Sequence, residues 1–170
     1  MQSGVAPLCI LALMEETPTT APTPPRAHIP WRLLALFYDL WPVMALWFLT
    51  AVPFMLVDAA IHGDVRHNIE PFSLMQWLLW LTCWAVAGIY ATWSWRRGGQ
   101  TLGMRPWRIR LVTADGATPG WGDLWRRYLV GTASLLLGGI GFFWAWFDRD
   151  RLTWHDRASN TRVVREPKRP

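Results

Sequence analysis

The sequence has few of the residues and motifs with which enzymes carry out chemistry. It contains two cysteines, Cys9 and Cys83, too few and too far apart for a disulfide framework or a metal site. A nucleophile elbow, a phosphate-binding glycine loop and a pair of metal-binding histidines are all missing. His155 and Asp156 are neighbours, but adjacency alone does not make a catalytic dyad. We therefore predict no enzymatic activity, no cofactor and no bound metal.

Charge is also missing from most of three long apolar runs. Residues 72–94 and 128–147 carry no formal charge, and residues 32–57 carry only Arg32 at the start and Asp39 further in. A helix needs about 20 apolar residues to cross the hydrocarbon layer. The sequence predicts an all-α transmembrane fold, with membrane segments at about 33–57, 72–94 and 128–147. Tryptophans at the ends of the runs suit the headgroup layer.

The two ends of the chain lie outside this membrane domain, which we place at residues 31–165. Residues 1–30 include a proline- and threonine-rich tract, TPTTAPTPP, and are predicted to be a disordered lead. The apolar stretch within residues 5–14 is too short and lacks the basic flank of a signal peptide. Translation starting at Met14 instead of Met1 is an open alternative. Residues 166–170 form a short tail.

The loops differ in charge, and this difference predicts the orientation. Residues 58–71 form an acidic loop, in which His62 and His67 are interpreted as solvated residues and not as metal ligands. Residues 95–127 are basic. The positive-inside rule then places the N-terminus and the basic loop in the cytoplasm of an inner (plasma) membrane. The net charge of +5 is explained by anionic lipid, so we predict the bilayer as a partner and no nucleic acid.

Two short segments beside the third run have the pattern of strands. Residues 107–113, WRIRLVT, alternate apolar and basic side chains, and residues 161–164, TRVV, could pair with them as a small cytoplasmic hairpin-like sheet. That pairing requires both segments on one side of the membrane, whereas a third crossing separates them. A simple crossing is preferred because the run is long enough; a re-entrant turn at its glycines is the alternative. Asp123 is a candidate cap for the helix entering this run.

Asp39 is the candidate functional residue of the first segment, because a carboxylate inside a membrane usually faces protein or water. Arg32 lies seven residues earlier, two turns away on the same helix face, and is its nearest candidate partner. Contact across two turns is long, so a bridging water or a third group is an equal alternative. The competing interpretations are an interfacial anchor for Arg32 and a neutral carboxyl that locks helices together for Asp39.

Three stretches in order make the chain resemble the RDD family, small membrane proteins named for one arginine and two aspartates. They are RLLALFYD, then GQTLGMRPWRIRLVTADG, then DRDRLTWHDRASNTRVV, which together cover about residues 30–165. The resemblance implies that the three residues are Arg32, Asp39 and Asp156. It also implies a motif loop at Gly99, Thr101 and Gly103, with Met104 where the family often has lysine. Transport of a ligand or ion is the function usually suggested for the family.

Two functions remain open. In the first, the protein is part of a transport system in which Asp39 is a proton or cation site, Arg32 tunes its charge and Asp156 gates it. Three segments cannot enclose a path, so this requires a homo-oligomer or a partner membrane protein, packed on small residues such as Gly131, Ala133, Ser134, Gly138 and Gly141. In the second, the protein is a structural or assembly module in which the three charged residues clamp the helices and the basic cytoplasmic loop binds a partner or anionic lipid. Asp156 then pairs with Arg32 or another basic residue at the membrane surface, and Asp39 bonds a neighbouring helix.

Overall fold

The computed structural model describes residues 28–64 and 68–166. Residues 1–27 of the predicted disordered lead, together with Cys9, Met14, His67 and most of the C-terminal tail, lie outside these residues. The lead was predicted to extend too far, because residues 29 and 30 begin the first helix. In chain order the elements are α1 (Ile29–His62), α2 (Leu74–Gly98), β1 (Ile109–Thr113), α3 (Trp121–Leu136), α4 (Ile140–Phe143), a 3-10 turn (Trp144–Trp146), α5 (Trp154–Ala158) and β2 (Thr161–Arg165).

Helix α1 is the longest element. It begins with Pro30 in its first turn, where the missing amide hydrogen costs nothing, and it continues through Pro42 and Pro53 to His62. The predicted acidic loop therefore starts too early, because residues 58–62 belong to the helix. At about 1.5 Å per residue, the 34 residues of α1 extend for about 51 Å, more than the thickness of a hydrocarbon layer.

Helix α2 returns antiparallel to α1. Ser73 caps its start by accepting a hydrogen bond from the Gln76 amide (3.2 Å), and the left-handed Gly99 (φ 68°) ends it. The Trp47 indole donates to the Cys83 carbonyl across the two helices (2.8 Å). Among the described residues, α1 and α2 are long and apolar enough to cross a membrane, with large apolar side chains exposed along both.

The predicted strand pair is confirmed. Strands β1 and β2 are antiparallel, with Leu111 opposite Val163. Alternate side chains face inward, so Ile109 and Leu111 are buried while Arg110 between them is exposed. The small core beneath the sheet consists of Ala35, Met104, Ile109, Leu111, Leu124 and Val163, with Trp31, Trp95 and Trp107 packed against it. The sheet thus packs on one end of α1 and on the start of α3.

The third run is not one straight helix, because it is bent by 108° between α3 and the helical segment at residues 140–146. Gly138 and Gly139 make the break at φ 71° and 79°, a left-handed conformation that glycine adopts without strain. A Cβ on Gly141 would lie 2.4 Å from the Ser134 hydroxyl, so a glycine there allows the close return. The strands on either side of the run then meet in one sheet.

The predicted cap of α3 is wrong. Gly120 occupies the N-cap position, and no side chain caps this end. Asp123 lies in the first turn instead, where its negative charge is still favourable near the positive end of the helix dipole. Gly120 has an extended backbone, and the helix begins after it without the side-chain hydrogen bond that the prediction assumed.

Candidate functional site

The Asp39 carboxylate accepts hydrogen bonds from three uncharged groups. The Tyr90 hydroxyl on α2 donates to Oδ1 at 2.8 Å, and the Gly103 amide donates to the same oxygen at 2.9 Å. The Thr101 hydroxyl donates to Oδ2. Asp39 is therefore held by α2 and by the motif loop at once, and it is half-buried where they meet.

The motif loop requires glycine at position 103 because the loop lies directly on α1. A Cβ at that position would be 2.2 Å from the Ala35 carbonyl oxygen and 2.7 Å from the Asp39 amide nitrogen, both well inside contact distance. The loop is also joined to the sheet, since the Leu111 amide donates to the Gly99 carbonyl (2.7 Å). Asp39, the motif loop and β1 are thus connected through consecutive hydrogen bonds.

A second carboxylate, Asp156, lies between two guanidinium groups. Arg32 at the start of α1 contacts its Oδ2 at 2.5 Å, and Arg127 of α3 contacts its Oδ1 at 2.5 Å. Both arginine side chains are more than nine-tenths buried, and the carboxylate is fully buried. We call Arg32, Arg127 and Asp156 the buried ion cluster. It joins the first helix, the third run and the C-terminal segment at one point.

Hydroxyl groups complete the surroundings of the buried ion cluster. Thr153 caps α5, and its hydroxyl and the Asp156 side chain form a reciprocal capping box. Thr153 also accepts a hydrogen bond from Arg32 (3.2 Å), while Thr161 at the start of β2 accepts one from Arg127 (2.8 Å). The same residues that hold the carboxylate therefore fix the ends of α5 and β2.

Electrostatics keep Asp156 ionised. Burial by itself would raise the pKa of the Asp156 carboxyl, but the charges of Arg127 and Arg32 outweigh burial and hold that pKa well below its usual range. For His155, which packs on the Phe142 ring (4.6 Å between centroids), burial is the largest effect and the Arg127 charge adds to it. Both lower the pKa of His155 well below its ordinary value, so this side chain is neutral in the folded protein.

The structure brings together some of the predicted site residues and separates others. Arg32 pairs with Asp156, one of the predicted partnerships. Of the two alternatives for Asp39, the structure shows third groups in place of Arg32, because the guanidinium turns to the tail and the Asp39 carboxylate contacts neutral donors. Ion pairs of the described residues do not include Asp39. Thr101 and Gly103 of the motif loop contact Asp39, whereas Gly99 ends α2. Met104 is part of the apolar core.

The sequence interpretation missed two site residues. Arg127 was treated as one of many basic loop residues, although, like Arg32, it stands at the head of an apolar run. Tyr90 was treated as part of an apolar segment, although its hydroxyl is a polar group that needs a partner when buried. The Thr-x-x-Asp spacing from Thr153 to Asp156 is a capping-box signal that points to an ordered, helical tail.

The possible metal-ligating side chains are dispersed in the described part of the chain. Within residues 28–64 and 68–166, histidine, cysteine, aspartate and glutamate do not form a group of three or more that could hold a metal ion. The two aspartates are instead each occupied by hydrogen-bond donors of the chain itself. The hydrogen bonds of Asp39 and the ion pair of Asp156 attach three separate segments to α1, namely α2, the motif loop and the C-terminal segment.

Comparison with known proteins gave one match. The protein-family model described as the RDD family matches residues 26–160, which include both aspartates and the arginine discussed above. No curated protein and no solved structure matches the chain.

Proposed function

Because this chain belongs to the RDD family, we propose that it is an integral membrane assembly module whose arginine and two aspartates fasten a small cap onto the membrane helices. The cap is defined as residues 99–119 and 152–165, which contain the motif loop, both strands and α5. The family match and the long apolar helices support a membrane protein. The contacts of Asp39 with the first part of the cap, and of Arg32 with Asp156 in the second part, carry the rest of the proposal.

The two aspartates act at different points of the cap. Asp39 binds the first part through Thr101 and Gly103, while Asp156 belongs to the second part and binds α1 through Arg32. Breaking one attachment leaves a buried polar group without a partner, and this penalty opposes release of either part. The cap is therefore a fixed platform and not a mobile domain.

The location of the module follows from its charge. Arginines dominate the exposed surface of the cap and its flanks, and basic residues beside membrane helices favour the cytoplasmic face of an inner membrane. These charges support the proposal that the N-terminus and the cap lie in the cytoplasm, against anionic lipid or a partner membrane protein. The proposal includes no catalytic step, no cofactor and no nucleic acid.

One observation favours transport as a second candidate function. Asp39 is half-buried, and its hydrogen-bond donors among the described residues are all uncharged. Carboxylates within membrane segments often mark the path of an ion or a substrate. A pathway would then need a homo-oligomer, since the described residues of one chain contribute at most three membrane segments.

Two substitutions at one position separate these functions. Asp39→Asn keeps the size and can still accept hydrogen bonds but cannot ionise, whereas Asp39→Leu removes both properties. The purified proteins are placed in liposomes, and thermal stability and the flux of protons, sodium and potassium are measured. For an assembly module, Asp39→Asn stays close to the parent in stability, Asp39→Leu is destabilised, and no variant changes flux. Flux in the parent that is lost in a stably folded Asp39→Asn would reject the assembly module and establish transport.

A further inference from the structure

The third apolar run has a hydrophobic tip, residues 135–147, that neither the cap nor the two long helices cover. The large side chains around the turn between α3 and α4 are strongly exposed, including Leu136 at 83% and Phe147 at 84%. Leu137, Ile140, Trp144 and Trp146 are exposed as well. A continuous apolar patch of this kind marks a surface that contacts a partner or a membrane.

The bent third run, residues 128–147, is called the hairpin below. Both of its ends are fixed at the same end of the molecule. Strand β1 precedes the run and strand β2 follows it, and the two strands pair along their full length. Arg127 at the base of the hairpin and Asp156 beyond it meet Arg32 in the buried ion cluster. The chain must therefore enter the medium that surrounds the tip, and leave that medium, on the side on which the cap lies.

The hairpin is much shorter than the first helix. From Arg127 to Leu136 the axis of α3 advances about 14 Å, whereas from Arg32 to His62 the axis of α1 advances about 45 Å. A hydrocarbon layer is about 30 Å thick, so a hairpin rooted beside Arg32 reaches about as far as one leaflet. Of the elements that the structure describes, α1 and α2 are then the two that are long enough to reach through the far leaflet.

The backbone of the turn is suited to lipid. Unsatisfied amides do not occur among acyl chains, but here the Leu137, Gly138 and Gly139 amides each donate to a carbonyl of α3, at 3.1, 3.0 and 2.8 Å. Tryptophans follow on the returning arm, and Arg149 and Arg151 come directly after it. Tryptophan followed by arginine is the order expected where a chain leaves hydrocarbon for the headgroup layer.

We infer that the third apolar run is a re-entrant hairpin whose tip, from Leu135 to Phe147, is buried in the acyl chains of the leaflet next to the cap. The occupant of this surface is therefore lipid. The inference rests on the proposed membrane insertion of α1 and α2 and adds to it that the C-terminal segment lies on the same side as the basic loop.

The test measures which side of the membrane each segment faces. Single cysteines are placed in a background of Cys9→Ala and Cys83→Ala, at Asp115→Cys before the run and Arg157→Cys after it. Both side chains are exposed. Glu70→Cys, between α1 and α2, is the matched control for the opposite side. An impermeant maleimide is applied to intact cells and to inverted vesicles. If the Arg157→Cys variant does not accumulate in cells, Arg149→Cys is used in its place.

The hairpin predicts that the cysteines at positions 115 and 157 react from one side and the cysteine at position 70 from the other. If position 157 reacts together with position 70, the run crosses and this inference fails, while the two-helix insertion stands. If positions 70 and 115 react from the same side, the proposed insertion itself fails and the inference fails with it.

A second measurement tests the occupant. A nitroxide at Leu136→Cys is compared with one at Phe48→Cys, which lies at an exposed position of α1. In the reconstituted protein, lipid around the tip predicts that oxygen collides with both labels at comparable frequency and that a water-soluble nickel complex is excluded from both. A label at Leu136→Cys that is shielded from oxygen and nickel alike, or open to nickel, would show protein or water around the tip and overturn the inference.

Discussion

Replacing Asp156 with asparagine tests the buried ion cluster most sharply, because it removes the one carboxylate between two buried guanidiniums. Arg32 and Arg127 would then share a neutral amide, with both charges still out of contact with water. Loss of one partner from a buried pair costs about 3–5 kcal/mol. For a domain of this size that lowers Tm by roughly 6–20 °C, measured by thermal unfolding of the purified protein in detergent.

The matched control is Asp150→Asn. Asp150 also pairs with an arginine, Arg157 at 3.8 Å, but both side chains are largely exposed. Exposed pairs contribute about 0–1 kcal/mol, so this variant should unfold close to the parent. If Asp156→Asn is no less stable than Asp150→Asn, the buried ion cluster does not hold the fold together and the reasoning fails.

The same variant has a pH signature. Because the pKa of Asp156 is lower in the folded protein than its unfolded value of 3.8, its contribution is complete above that value and is lost as the pH falls below it. The parent should therefore lose stability below about pH 4, and Asp156→Asn should lose less over the same interval. Parallel pH curves for the two proteins would contradict this account.

Three further outcomes are expected. Gly103→Ala should unfold earlier than the parent because its new methyl group has no space against α1, whereas Gly131→Ala, at an open helical position, should change stability by about 1 kcal/mol or less. The parent should lose stability as the pH falls below 6.5, because His155 is neutral when folded and takes up a proton on unfolding; His155→Gln should flatten that part of the curve. Thr101→Val removes one donor to Asp39 and should speed proteolysis of the motif loop without abolishing folding.

Much of the fold could be predicted because it depends on local pattern. The apolar runs gave α1 and α2 to within a few residues, since length and hydropathy decide whether a segment is a spanning helix. The alternation in residues 107–113 gave β1 and its partner. The helix ends were less well predicted, because α1 extends five residues past Val57 into a polar segment that hydropathy assigns to a loop.

The turn in the third run could not be derived from the same rules. Twenty uncharged residues meet the length requirement for a crossing, and nothing in their hydropathy distinguishes a straight helix from a hairpin. The outcome depends on Gly138 and Gly139 adopting left-handed geometry and on Ser134 packing against Gly141. These contacts form only in the folded protein, and the hydropathy of the run does not contain them. The predicted strand pairing favoured a return of the chain, whereas the length of the run favoured a crossing.

The site was predictable as a set of residues but not as a set of pairs. Resemblance to the family identified Arg32, Asp39 and Asp156, but helix geometry alone favoured joining the first two. The contact that forms instead links residues 124 positions apart. It also needs Arg127, whose role becomes visible only when α3 and α5 are packed together.

Hydrogen exchange of the two strands tests the central claim directly, namely that the arginine and the two aspartates fasten the cap to the helices. Arg32→Gln, Asp39→Leu and Asp156→Asn are each compared with the parent, reconstituted in lipid. Each substitution should speed exchange in β1 and β2 while α1 beyond Asp39 stays as protected as before. Strands that exchange as slowly in all three variants as in the parent would contradict the account.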